Sequence, residues 1–250
     1  TYSVHVQRES AWPLLVHAVL LNASGAPLRE WTVASPYSCA RPCVAAVEDR
    51  YLLVWLEEGP QPRLQRTVLT AETPAGEVHG EPLAPQLGFQ REASLRTGEG
   101  QVLCVFGAAP DSTGDVDLYT LRFDHELRPR DAAPRPLCPG PGLQGDPSHI
   151  WDGRQWVVTW SDLDPGREAI FGARVAAGGA GRDSVPFLIA PGVAGRAGLA
   201  ADGAETILVA YNSDRIRAIY DADPLLWDGQ EDPPPDDPPD DPPPDDPPPD

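Results

Sequence analysis

The sequence contains no methionine and no lysine, so arginine supplies all 19 of its basic side chains. Acidic side chains number 38, which leaves a formal net charge of −19. Nucleic acids and anionic membrane surfaces bind proteins through a positive surface. The charge balance therefore excludes both as main partners.

Several motifs with a known chemistry are also missing. No apolar run approaches the ~20 residues that span a bilayer, so we expect no membrane insertion. The sequence has no phosphate-binding loop, no dinucleotide-binding glycine pattern and no nucleophile elbow. The five histidines are scattered and form no metal-ligand or triad spacing. The sequence thus predicts no cofactor other than a possible calcium ion.

Cysteine is scarce, with four residues in the chain. Cys39 and Cys43 form a CxxxC pattern in a proline-rich turn, a spacing that allows a local disulfide. A disulfide would fit an oxidising compartment. Cys104 lies in the apolar run QVLCVF, which predicts a small buried core residue.

An internal repeat is the most informative feature that is present. Four apolar runs, YLLVW, VLCVF, WVVTW and ILVAY, each end in an aromatic residue: Trp55, Phe106, Trp160 and Tyr211. These aromatics are 51, 54 and 51 residues apart. We expect them to pack between adjacent sheets, because large aromatic side chains fill such spaces.

Each apolar run belongs to a longer unit of short β-rich runs separated by turn residues. Residues 146–191 contain a complete unit, in which four runs are joined by turns such as Asp152-Gly153. Five copies fall near 1-37, 38-90, 91-145, 146-197 and 198-227; the first lacks its first strand and the last lacks its fourth. The unit resembles a β-propeller blade and predicts an all-β, five-bladed β-propeller with four-stranded blades over residues 1-227. A piece of a larger propeller is the alternative.

The last residues, 228-250, have a different composition. They contain eleven prolines, ten acidic residues and no basic one. Proline removes backbone donors and like charges repel, so we expect an extended acidic, proline-rich linker or tail. A tail that binds a partner or assembles subunits is the alternative.

Acidic residues recur in the loops between the second and third strands of the units. In a propeller these loops share one rim, and hard oxygen ligands in flexible loops suit Ca²⁺. The candidate ligands are Asp111, Asp115, Asp117, Asp162 and Asp164. Solvated turn residues are the alternative interpretation.

The heads of the first strands carry Arg41, Glu92 and Asp146 at equivalent positions. Two carboxylates beside an arginine could act as an acid and base pair. The segment DPSHIWDGRQWVVTWSD is similar to blades of five-bladed glycoside hydrolases, and this resemblance implies catalysis by the head aspartate, Asp146. Arg41-Pro42 and Glu92-Ala93 depart from its DP pattern. His149 and Trp151, on the same strand as Asp146, complete the predicted ligand-binding set.

The whole pattern resembles secreted repeat-propeller proteins of GC-rich predatory or social bacteria, which implies an extracellular or cell-surface location. From it we expect a non-enzymatic binding or scaffolding module that recognises a glycan or protein ligand on the rim, with or without calcium. One alternative is a carbohydrate-active hydrolase that uses Asp146 and Glu92. Another is a structural subunit that assembles through residues 228-250.

Overall fold

The computed structural model describes residues 2–7, 13–109, 115–140, 142–164, 168–203, 206–212 and 217–221. Strands make up the regular structure of these ranges, which contain no helix, as the sequence predicts. No membrane-spanning helix is therefore found in this part of the chain. The predicted tail, 228-250, lies outside the described residues.

The strands form five sheets, numbered here in chain order. The first contains β1 (Tyr2–Gln7), β2 (Leu15–Leu21), β3 (Pro27–Ala34) and β7 (Gly76–His79). The second contains β4 (Cys39–Val47), β5 (Arg50–Glu57), β6 (Arg63–Thr70) and β8 (Glu81–Pro82). The third contains β9 (Phe89–Gly98), β10 (Gln101–Ala109), β11 (Asp117–Phe123) and β12 (Arg135–Leu137). The fourth contains β13 (Gln144–Trp151), β14 (Gln155–Asp162), β15 (Ala169–Ala176) and β16 (Phe187–Pro191), and the fifth contains β17 (Gly198–Ala201), β18 (Ile207–Tyr211) and β19 (Arg217–Asp221).

The turn between β13 and β14 shows how local sequence sets these antiparallel pairs. Gly153 has a φ of 104°, which favours glycine. The side chain of Asp152 accepts hydrogen bonds from the backbone N–H groups of Arg154 at 2.7 Å and Gln155 at 2.8 Å. The turn brings Trp151 opposite Trp156 and so fixes the register of the two strands.

The strand β7 is the element that the repeat did not predict. It pairs in parallel with β3 and lies at the outer edge of the first sheet. The indole N–H of Trp31 donates to the carbonyl of Pro74 at 2.9 Å, which ties the preceding turn to the first sheet. At Gly80 the chain passes so close to Trp55 that a Cβ would lie 2.4 Å from the indole ring. The chain then returns to the second sheet as β8.

Four apolar clusters fill the spaces between successive sheets. Each contains one of the repeated aromatic residues: Trp55 between the first and second sheets, Phe106 between the second and third, Trp160 between the third and fourth, and Tyr211 between the fourth and fifth. All four are buried. The prediction that these aromatics pack between sheets is confirmed.

The local disulfide that the CxxxC spacing allows is not formed, because all four cysteines are free thiols. Cys39 packs in the cluster between the first and second sheets, whereas Cys43 packs against the cluster between the second and third. The two side chains thus serve opposite faces of β4. Cys104 is fully buried in the core, as predicted.

The strands β4, β9, β13 and β17 each lie at one edge of their sheet, and each contacts the next in this series. We call these four strands the inner edge. The head of each first strand pairs with the end of the second strand, as shown by Cys39 opposite Glu57 and Gln144 opposite Asp162. The described acidic residues that end the second strands, such as Glu57 and Asp162, therefore lie at the same end of the sheets as Arg41, Glu92 and Asp146.

Candidate active site at the heads of the inner strands

The first three inner strands share a β-bulge near their heads. In each, two residues lie opposite one residue of the neighbouring strand, and the pairs are Arg41-Pro42 in β4, Arg91-Glu92 in β9 and Asp146-Pro147 in β13. A bulge leaves a residue outside the ladder, so the missing N–H of a proline costs no strand hydrogen bond there. The bulges re-aim these side chains out of the regular pleat.

Two of the bulge residues have an unusual backbone conformation. The φ angles are 51° for Arg41 and 52° for Asp146, in the left-handed region that favours glycine. A residue other than glycine that is held in this backbone conformation costs free energy, and such residues cluster at functional sites. The surrounding contacts must hold Asp146 in place.

Glu92 supplies the contact that holds this arrangement together. Its Oε2 accepts from Nη1 of Arg41 at 3.0 Å and lies 3.4 Å from Nε of Arg91. Its Oε1 accepts the backbone N–H of Asp146 at 3.0 Å. The Glu92 side chain is only 4% exposed, whereas that of Arg41 is 53% exposed. Glu92 is therefore a buried anchor that links the heads of β4, β9 and β13.

Gly145 makes this approach possible. A Cβ at this position would lie 2.9 Å from Oε1 of Glu92 and 2.8 Å from Cδ1 of Leu163. Any larger residue would push the Glu92 carboxylate away from the Asp146 backbone. The small residue before Asp146 is thus part of the site.

The carboxylate of Asp146 has a different environment from that of Glu92. It is half-buried, and among the described residues it makes no hydrogen bond or ion pair of its own. Asp146 therefore presents an uncommitted carboxylate on the residue whose backbone N–H Glu92 binds. This arrangement suits a base that takes a proton from water or a substrate hydroxyl.

The remaining predicted ligand-binding residues, His149 and Trp151, are not brought to this cluster. His149 is 1% exposed and its Nε2 lies 3.0 Å from the carbonyl of Leu103. Its ring and that of Trp151 both pack against Trp156, at 5.6 and 5.2 Å between centroids. Both side chains support the interface between the third and fourth sheets.

The four predicted calcium ligands that the structure describes accept hydrogen bonds from backbone groups. Asp115 and Asp117 accept from the N–H groups of Gly142 and Gly140, and Asp164 accepts from that of Leu143. Asp162 accepts from the N–H of Asp164 at 3.1 Å. Within the described ranges no three His, Cys, Asp or Glu residues form a group that could hold a metal ion. Asp111 lies outside these ranges, and calcium binding stays a prediction.

Sequence reasoning missed three arginines near the inner edge. Arg91 precedes Glu92, and Arg96 is an exposed residue of β9. Arg196, also exposed, comes two residues before β17. Because the chain has no lysine, 19 arginines supply all of its basic side chains, and the positions of two of them on β9 and of one just before β17 were a signal that the sequence offered.

No family model matches the chain, and no curated protein sequence matches it. Among solved structures it is similar to an α-L-arabinofuranosidase from Fusarium graminearum bound to an iminosugar inhibitor, with a TM-score of 0.51 and 10% identity over 83% of this chain and 65% of that one. It is also similar to an α-L-arabinofuranosidase from Lactobacillus brevis (TM-score 0.49, 13% identity, 83% and 82% covered). An endo-arabinase from Bacteroides thetaiotaomicron gives a TM-score of 0.45 and 16% identity, with 88% and 92% covered.

Together with the succession of sheets, the comparison that gives a TM-score of 0.51 shows the β-propeller fold. Our expectation of a non-enzymatic binding or scaffolding module is corrected by the same comparison, because the structure matched at a TM-score of 0.51 is that of an α-L-arabinofuranosidase.

Proposed function

We propose that this chain is a glycoside hydrolase whose catalytic carboxylate is Asp146. The observation that carries the proposal is the uncommitted Asp146 carboxylate, held at a φ of 52° by the hydrogen bond from its backbone to Glu92. The likeness of the fold to an arabinofuranosidase supports the same class of reaction and gives the first substrates to test.

In this proposal Asp146 takes a proton from the water that attacks the anomeric carbon. The bond from that carbon to the glycosidic oxygen breaks, and the departing oxygen takes up a proton from a solvent water molecule. Glu92 does not act as the acid, because both its oxygens are already bound. It is a positioning residue, and Arg41, which it holds, is exposed enough to donate to sugar oxygens.

The test is turnover of 4-nitrophenyl α-L-arabinofuranoside and of arabinan by the full chain and by Asp146→Asn. Asparagine keeps the size of the side chain but removes its basicity, so we expect kcat to fall by about 10²-fold or more. Asp49→Asn is the matched control, since Asp49 is 81% exposed and lies at the opposite end of β4. It should retain full activity.

Two outcomes would contradict the proposal. Turnover that survives in Asp146→Asn would remove Asp146 from the reaction. The hydrolase proposal would also be wrong if the wild-type chain, shown to be folded by circular dichroism, cleaved neither these substrates nor other glycosides.

We further propose that the five sheets close into one five-bladed ring over residues 1-227. The succession of inner strands β4, β9, β13 and β17 supports this, because each contacts the next. The ligand in this proposal is a glycan. An extracellular or cell-surface location remains a prediction from the sequence.

A further inference from the structure

Positive charge is concentrated around the candidate site although the chain as a whole carries −19. Arg41, Arg91 and Arg96 lie on the inner strands β4 and β9. Glu92 is the acidic partner of the first two, which both approach its Oε2. The single buried carboxylate of Glu92 therefore contacts two guanidinium groups, those of Arg41 and Arg91.

Arg196 lies in the segment that precedes β17, and contacts of this segment bring it close to the head of β13. The carbonyl and the N–H of Gly195 both bind the hydroxyl of Ser161, at 2.8 and 2.7 Å. Ser161 is the pairing partner of Gly145, the residue before Asp146. These contacts place Arg196 beside the head of β13.

The charges of Arg96 and Arg196 affect the pKa values of two side chains, those of His149 and Cys43. Burial lowers the pKa of His149 to about 3, and the charges of Arg96 and Arg196 lower it further. Burial raises the pKa of the Cys43 thiol to about 12, and the same two arginines oppose that shift. The pairing agrees for Arg96, because this residue lies opposite Leu103, whose carbonyl is 3.0 Å from Nε2 of His149.

Arg96 and Arg196 have no carboxylate partner among the described residues. The only side-chain hydrogen bond that the described structure gives Arg96 joins its Nη1 to the carbonyl of Leu95 at 3.2 Å. Both side chains are exposed. An exposed guanidinium on the inner edge that has no acidic partner in the described structure is available to bind an anionic group of a substrate.

We propose that the inner edge binds a glycan that carries a carboxylate, with Arg96 and Arg196 as the groups that recognise the acidic sugar. The proposal deepens the proposed hydrolase function and rests on it for the identity of the ligand as a glycan. A uronate fits these residues because its planar carboxylate accepts paired hydrogen bonds from a guanidinium fork. A neutral sugar would leave both charges uncompensated.

The experiment measures equilibrium binding of trigalacturonate to the full wild-type chain by calorimetry, with its methyl ester as the uncharged match. The methyl ester has the same sugar skeleton, so the difference reports the carboxylates alone. We expect the acid to bind at least tenfold more tightly than the ester, and this difference to shrink as salt rises. Inorganic sulfate serves as a competitor that tests for general anion binding.

The variants Arg96→Gln and Arg196→Gln should each weaken binding of trigalacturonate about tenfold and leave binding of the ester unchanged. Arg182→Gln is the control, because Arg182 is an exposed arginine that follows β15, away from the inner edge, and its loss changes the net charge equally. It should bind as wild type does.

Equal binding of acid and ester, no binding of either, or wild-type affinity in both arginine variants would overturn the proposal. Displacement by sulfate at equal concentration would show an anion site without sugar recognition and would overturn it too. None of these measurements needs turnover. Loss of activity in the arabinoside assay with acid-selective binding retained would therefore refute only the hydrolase.

Discussion

Asp146 and His149 lie three residues apart on β13, and their surroundings give them different roles. The bulge leaves the Asp146 side chain half-buried and without a partner in the described structure. Beyond the bulge the strand enters the core, where His149 is 1% exposed and packs on Trp156. The strand β13 thus carries a partly exposed side chain at its head and a buried core residue three positions further on.

The burial of His149 predicts a dependence of stability on pH. Its pKa is lowered from 6.5 to about 3, chiefly by burial, so the folded chain keeps it neutral where the unfolded chain binds a proton. The stabilisation is complete above pH 6.5 and is lost as the pH falls toward 3. We expect this residue to lower the free energy of unfolding by about 1.4 kcal/mol for each pH unit in that window.

The measurement is urea unfolding between pH 7 and pH 4 for wild type and His149→Gln. Glutamine keeps a donor for the carbonyl of Leu103 but does not titrate. The free energy of unfolding of His149→Gln should therefore fall less steeply with decreasing pH than that of wild type, by the contribution of one proton. His79→Gln is the control, since that side chain is 79% exposed. Parallel slopes for wild type and His149→Gln would show that His149 does not titrate as argued.

At the scale of elements, the third and fourth sheets repeat the same ion pair. Arg122 on β11 donates from its backbone N–H and its guanidinium to Asp131, with Nη2–Oδ1 at 2.7 Å. Arg174 on β15 binds Asp183 in the same way, with Nη2–Oδ1 at 2.5 Å. In both cases the aspartate lies nine residues after the arginine and fastens the loop beyond the third strand.

We predict that Asp131→Ala lowers the free energy of unfolding by about 3–5 kcal/mol, because it leaves the Arg122 charge buried without a partner. Burial acts to raise the pKa of Asp131, but the bonds and charge of Arg122 outweigh it and hold that pKa below 3.8. The contribution is thus present above pH 3.8 and lost at lower pH. Chemical denaturation at pH 7 and in acid measures both effects.

Glu77→Ala is the control for this ion pair, because the Glu77 side chain is 69% exposed and faces the exposed His79. Exposed pairs contribute at most about 1 kcal/mol. If Asp131→Ala were as mild as Glu77→Ala, the buried pair would not stabilise the loop. A difference between wild type and Asp131→Ala that persisted unchanged in acid would contradict the linkage to its ionisation.

The repeated elements explain what the sequence could predict. Apolar runs that end in an aromatic have a local signal, so the strands and the packing of Trp160 followed from spacing. The strand β7 has no such signal, since GEVH contains one apolar residue and is held by the distant Trp31. The nine-residue arginine-to-aspartate spacing recurs 52 residues apart and could have been found by aligning the copies.

The candidate site was only partly predictable for a related reason. Arg41, Glu92 and Asp146 stood out as heads of equivalent strands, but their connection through the two oxygens of Glu92 depends on three strands from separate copies being adjacent. Arg196 was missed because its position is set by contacts of Gly195 with Ser161, which lie 34 residues apart. His149 was misplaced because a single sequence does not show which face of β13 is buried.

At the scale of the whole molecule, stability depends on the interfaces between sheets. Each sheet contributes side chains to clusters with its neighbours, so no sheet buries its faces alone. In an open stack of repeats such interfaces can separate one at a time, whereas a closed ring has no terminal interface at which to begin. The cooperativity of unfolding therefore distinguishes the two arrangements.

Trp156 gives the sharpest test, because it is fully buried in the cluster between the third and fourth sheets. We predict that Trp156→Ala lowers the free energy of unfolding by about 3–5 kcal/mol, from lost burial and the cavity that remains. Leu28→Ala, at a side chain 60% exposed, should change it by less than about 0.5 kcal/mol. In a closed ring the weakened chain should still unfold in one transition, with coincident curves from circular dichroism and tryptophan fluorescence. Two separated transitions in Trp156→Ala would show that the sheets on either side of this interface unfold independently, and the proposed closure would then be wrong.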